Sequence, residues 1–123
     1  MYTQELERIV YATSYSRFGR ETRPLPPYTP WRTPDFGYRF DESGDVMMFT
    51  TPSHGGFHVT GDALLRIPEA HRVGFAGRGW FEEDCDWAIV VHFLPELFDP
   101  RDVEMARETL RHWHPEINLE MSS

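Results

Sequence analysis

Hydrophobic and polar residues alternate between helical and strand periods along this chain, and the change of period marks its elements. Leu6, Ile9, Val10 and Thr13 recur at helical spacing behind Glu5 and Glu7, so residues 3–13 are read as a short N-terminal helix. A strand is the alternative there, because Ile9, Val10 and Tyr11 are β-formers. Residues 16–36 hold Pro24, Pro26, Pro27, Pro30 and Pro34, which exclude both a helix and a central strand. They form a Pro-rich connector that wraps the domain with Tyr28 and Trp31 as anchors, or else a partner-binding arm. Residues 37–42 and 45–51 flank Ser43-Gly44 as a hairpin, and Phe57–Thr60 adds a third strand after the turn-forming Pro52–Gly56. Residues 61–66 suit a helical turn capped by Thr60 or Asp62, ended by Pro68. Gly74, Gly77 and Gly79 mark a loop.

Residues 82–93 are read as a helix with acids in its first turn and an apolar body, although 87–94 would also serve as a buried strand. The last element has the fullest signature. Asp99 is an N-cap, Pro100 stands at the first helical position, and Val103, Ala106, Leu110 and Trp113 repeat at steps of 3, 4 and 3 before Pro115. Trp87 and Trp113 are both expected in the core. The fold class is therefore α+β: a small antiparallel sheet of about three strands against two to four helices, with a Pro-rich N-terminal connector. Residues 1–123 read as one domain, with the sheet-and-helix core at 37–98 and the C-terminal helix at 99–114.

Charge narrows the partners. The net charge is −8, so the average field repels phosphate backbones and suits a basic protein surface. Direct nucleic-acid binding is not expected. All 12 basic residues are Arg, to which no functional weight is given. One cysteine, Cys85, excludes an internal disulfide and a multi-Cys zinc site. The opening MYTQELERIV lacks a basic stretch followed by an apolar one, and the nearly apolar run Trp87–Leu94 is too short to span a bilayer. A cytoplasmic protein with no membrane contact is expected.

The chemistry is concentrated at Trp80-Phe81-Glu82-Glu83-Asp84-Cys85-Asp86-Trp87. These carboxylates either cap a helix and line a solvated face, or form a negative patch that engages arginines on a partner. In the second case Trp80, Glu82, Glu83, Asp84 and Asp86 are the partner-binding residues. Glu82 and Asp86 stand four apart, a spacing that would put both on one helix face, but two carboxylates are a weak metal signal. No metal and no cofactor are expected. Cys85 is expected to be buried and inert, since neighbouring carboxylates disfavour its thiolate. An enzyme reading would pair His54 with Cys85, or use paired carboxylates, as a small hydrolase or transferase. His112 and His114 end a helix, where a cation suits the dipole. Ser53-His54-Gly55-Gly56 is a tight connection between strands or a weak anion cradle.

Two blocks and a shorter third segment carry a resemblance. Thr51-Pro52-Ser53-His54-Gly55-Gly56, then Gly79-Trp80-Phe81-Glu82-Glu83-Asp84-Cys85-Asp86-Trp87-Ala88 and Phe93-Leu94-Pro95-Glu96-Leu97-Phe98, resemble an uncharacterised domain family of plasmid and phage proteins. That family's pattern runs TPSHGG…GWYEEDCDWA…FPELF, and Phe81 replaces its Tyr. The match spans roughly residues 31–98. The resemblance implies a mobile-element setting, in which small acidic proteins resemble anti-CRISPR and anti-restriction inhibitors. The function it implies is a non-enzymatic binding protein that inhibits a bacterial defence complex, one that handles nucleic acid, by protein–protein contact. A dimerisation or accessory module of a plasmid system is the remaining alternative. No catalytic residue is carried over.

Overall fold

The computed structural model describes residues 18–21, 23–74, 76–117 and 119. The expected helix at 3–13 lies outside them. The tightest local signal is the turn before the second strand. Asp41 accepts from the backbone N–H of Gly44 (2.9 Å) and of Val46 (3.2 Å), and Gly44 takes the left-handed conformation the turn needs, at φ +86°. This turn joins β1 (Phe36–Arg39) to β2 (Val46–Thr50). Next come β3 (Gly55–Val59), helix α1 (Gly61–Leu65) and a two-stranded ribbon of β4 (Val73–Gly74) and β5 (Gly77–Arg78). Then follow β6 (Trp80–Glu82), α2 (Trp87–Phe93) and α3 (Pro100–Trp113). Two 3₁₀ turns, Glu69–His71 and Pro95–Leu97, connect elements.

The main sheet is antiparallel throughout, in the order β1-β2-β3-β6. The α+β class is as expected; the sheet has a fourth strand that the periodicity did not show. Residues 80–82 sit where a helix start was expected. They pair instead with Gly56, Phe57 and His58, and the helix begins only at Trp87. Three residues are too few to display a period of two, and their acids looked like a helix cap.

One face of the sheet carries Val46, Met48, Phe57, Val59 and Phe81 against α2. Every residue of α2 is buried, because α3 covers its other side. A helix apolar all round is one with neighbours all round. The opposite face carries Phe49, His58 and Trp80, and the connector covers it. Trp31 meets Trp80 edge-to-face with ring centroids 5.6 Å apart, and Leu25 reaches Gly37 and Phe49. Backbone bonds from Glu21 to Gly37 and from Arg39 to Gly19 lay the connector along β1. The connector therefore wraps, anchored by Trp31. Tyr28 is 65% exposed and anchors nothing in the core.

Helix α3 starts as its caps predict, with the Asp99 carboxylate accepting from Arg101 N–H at 2.8 Å. Ala106 and Leu110 are buried, but Trp113 is 59% exposed, so it is not a core residue. The stripe is continuous in sequence, while its packing partner is short: α3 has 14 residues and α2 has 7. Trp113 faces away from that contact and its ring meets His112, with centroids 4.7 Å apart.

Candidate functional site

The two sequence blocks meet through one carboxylate. Glu83 is 2% exposed. Its Oε1 accepts the backbone N–H of Gly55 at 2.7 Å and lies 3.4 Å from Nδ1 of His54. The His54 side chain is 60% exposed, so a buried acid backs an outward-facing imidazole. Oε2 of Glu83 is buried with no hydrogen-bond partner among the described residues. Burial raises the Glu83 carboxyl above its ordinary value and the charge of Asp84 adds to this; the Gly55 N–H and His54 oppose it.

The loop that carries His54 is stiff for local reasons. Thr51 Oγ1 donates to the His54 carbonyl at 2.7 Å and accepts the His54 N–H at 3.1 Å, and the Thr51 N–H donates to the same carbonyl at 2.8 Å. Pro52, Ser53 and His54 are exposed on this turn. The following glycines serve close approach rather than anion binding, since the Gly55 N–H is taken by the protein's own carboxylate. A Cβ on Gly56 would lie 2.3 Å from the Phe81 carbonyl and 2.6 Å from the Trp31 ring. Gly56→Ala is expected to cost about 2–3 kcal/mol by forcing β3 from β6 and lifting the connector. Urea unfolding checks this, together with the loss of the Trp31–Trp80 contact in near-ultraviolet dichroism.

Glu82 is also buried and builds the next turn. Its Oε2 accepts from Asp84 N–H (3.0 Å), and its Oε1 from Cys85 (2.8 Å) and Asp86 (2.9 Å). Burial alone would raise this carboxyl. The three N–H groups, from Asp86, Cys85 and Asp84, outweigh burial and hold it below its ordinary value. The segment thus organises the turn before α2 through a side chain reaching forward from a strand, while α2 itself carries no side-chain cap at Asp86.

A second cluster forms where α3 ends beside the start of α2. His114 Nε2 is 3.0 Å from Asp86 Oδ1, and its Nδ1 is 3.2 Å from Glu116 Oε2. The Cys85 thiol reaches Asp86 Oδ1 at 3.8 Å. Cys85 is half-buried rather than fully buried. Burial, with the Glu82 and Asp86 charges, pushes its thiol up to about 12, so the thiolate is disfavoured as expected.

Five residues were read as one partner-facing patch: Trp80, Glu82, Glu83, Asp84 and Asp86. The structure turns Glu82, Glu83 and Asp86 inward and leaves Asp84 exposed. Trp80 is half-buried, stacked on His58 with centroids 3.8 Å apart. An exposed acidic face is not what these carboxylates make, because each inward one is buried against a backbone or histidine partner. The histidine beside Cys85 is His114, not His54. Sequence reasoning gave His114 only a helix-end role, and no local signal tied it to residues 28 positions away.

The fold and site together define a small α+β domain whose motif residues organise a rigid turn and the entry to a buried helix. The chain belongs to the family named Domain of unknown function (DUF7007), whose model matches residues 24–121. The match extends beyond the two sequence blocks into α3. No curated protein and no solved structure matches the chain. No helix among the described residues is long and apolar enough to cross a membrane.

Proposed function

We propose that this domain is a non-enzymatic protein-binding module whose contact is the rigid turn Pro52-Ser53-His54 with the neighbouring Asp84. The observation that supports this reading is the buried Glu83, which pins Gly55 and backs His54 while the turn itself faces outward. A recognition loop held in one shape loses little entropy on binding. Its low backbone freedom and an acidic chain of net charge −8 suit a basic protein surface. The family resemblance in the two blocks makes a nucleic-acid-handling bacterial defence complex the partner proposed, in the manner of anti-CRISPR or anti-restriction inhibitors.

The test is phage plating on bacteria that carry a panel of CRISPR and restriction systems, with and without the expressed domain. The expected result is restored plating against one system, lost on His54→Ala combined with Asp84→Asn, with the melting temperature unchanged. Full inhibition by that double variant would remove the turn as the contact. Failure of the domain against every system would remove the inhibitor reading.

A second reading has its own observation. Glu83 oriented on Nδ1 of His54, with the ring exposed, is the arrangement of a general base, as a small hydrolase or transferase would need. Glu83→Gln separates the two. Its amide oxygen still accepts from Gly55, so the turn stays pinned and a binder keeps its affinity, whereas acid–base chemistry is lost. The same variant has a defined stability signature. A carboxyl raised by burial favours folding below its ordinary pKa and loses that advantage as pH rises through the folded value. Glu83→Gln should therefore match the wild type in acid and exceed its stability at neutral pH, as measured by thermal melts across pH. A lower neutral melting temperature would mean that the His54 and Gly55 contacts outweigh the burial.

A further inference from the structure

We propose that Cys85, Asp86 and His114 form a binding site for a divalent transition metal, with Zn²⁺ the ion the donor set suits best. One ligand atom from each of the three lies within 4.8 Å of the others. The donors are a sulfur, a carboxylate oxygen and an imidazole nitrogen, the set that borderline-soft Zn²⁺ takes. Tetrahedral bonds at about 2.0–2.3 Å place such atoms about 3.3–3.6 Å apart. Asp86 Oδ1 stands 3.0 Å from His114 Nε2 and 3.8 Å from Cys85 Sγ, so small side-chain rotations bring all three onto one ion.

A further feature lies behind the histidine. His114 Nδ1 faces Glu116 Oε2 at 3.2 Å, the carboxylate-behind-histidine arrangement that fixes the tautomer and aims Nε2 at a metal.

The site joins the turn before α2 to the chain just after α3, two segments held together here by the Asp86–His114 contact. Three protein ligands leave a fourth position for water or for a group from a partner. The proposal is independent of the contact turn at His54, and its test does not need the partner.

The test uses the purified chain and Co²⁺, whose thiolate ligation gives a charge-transfer absorption, followed by Zn²⁺ displacement. The expected result is one Co²⁺ per chain with that absorption, bleached by one equivalent of Zn²⁺, and a rise in melting temperature with Zn²⁺. Cys85→Ser should abolish the absorption. His114→Gln should weaken Zn²⁺ binding at least 10-fold, and Glu116→Gln, which acts only through His114, about 10-fold or somewhat more. Both histidine-side variants are checked for wild-type circular dichroism, and Cys85→Ser changes one atom in a half-buried side chain. Co²⁺ bound without the thiolate band, or Zn²⁺ affinity equal in wild type, Cys85→Ser and His114→Gln, would overturn the site.

Discussion

Glu82→Ala should destabilise the domain by about 4 kcal/mol, a large part of what a domain of this size has in reserve. One carboxylate accepts three backbone N–H groups, from Asp84, Cys85 and Asp86, all within 3.0 Å. Hydrogen bonds to a charged group contribute about 1.5–3 kcal/mol each, and the sum falls short of additive because the exposed Asp84 backbone can regain water. Alanine also leaves the turn into α2 without its organising anion. Glu82→Gln should cost less, about 1–2 kcal/mol, since a carbonyl oxygen can still serve Cys85 and Asp86. The loss has a pH signature. Because the folded Glu82 carboxyl is held below its ordinary value, its contribution is present above the ordinary carboxylate range and fades as pH falls through the folded value. Urea unfolding at neutral pH and again below about pH 4 reads both effects. A difference under 1 kcal/mol, or one that does not shrink in acid, would show that the turn forms without Glu82.

Trp87→Ala should cost about 3–5 kcal/mol, while Trp113→Ala should stay within about 0.5 kcal/mol. Trp87 is 2% exposed at the start of α2, between the sheet and α3, and its removal leaves a cavity the surrounding sheet and helices cannot close. Trp113 is 59% exposed at the end of α3, so its truncation removes little buried surface. The indole nitrogen of Trp87 is buried without a partner among the described residues, so Trp87→Phe should recover most of the loss by removing that donor. The two Ala variants are compared by urea denaturation. Equal losses would place both side chains in the core and would contradict the exposed end of α3.

These outcomes divide along the line between local and long-range information. Spacing, caps and turn chemistry act within a few residues, and the elements they control were legible. The hairpin around Gly44, the strand after Gly55 and the Asp99-Pro100 start of α3 all follow from contacts spanning five positions or fewer. The α+β class follows from the same signals. Strand β6 was not legible, because three residues cannot show a period and their pairing with Gly56–His58 is a tertiary fact. Helix and strand were hard to separate at Trp87–Phe93 because burial on all sides erases amphipathic contrast. The stripe on α3 named Trp113, but periodicity marks a face of the helix and does not say how far along it the cover extends.

The site shows the same division more sharply. Composition identified the acidic segment and the SHGG turn as the unusual chemistry of the chain. Direction was decided only in three dimensions. Glu83 meets Gly55 and Asp86 meets His114 across 28 residues in each case. A carboxylate in a sequence is the same whether it faces solvent or a backbone amide. The difference is the partner that folding brings to it, and burial is tolerated where that partner repays the lost hydration. The sequence alone determined which residues would be charged, stiff or apolar. Only the tertiary structure decided that three of the four acids would turn inward while Asp84 and the Pro52-Ser53-His54 turn face solvent.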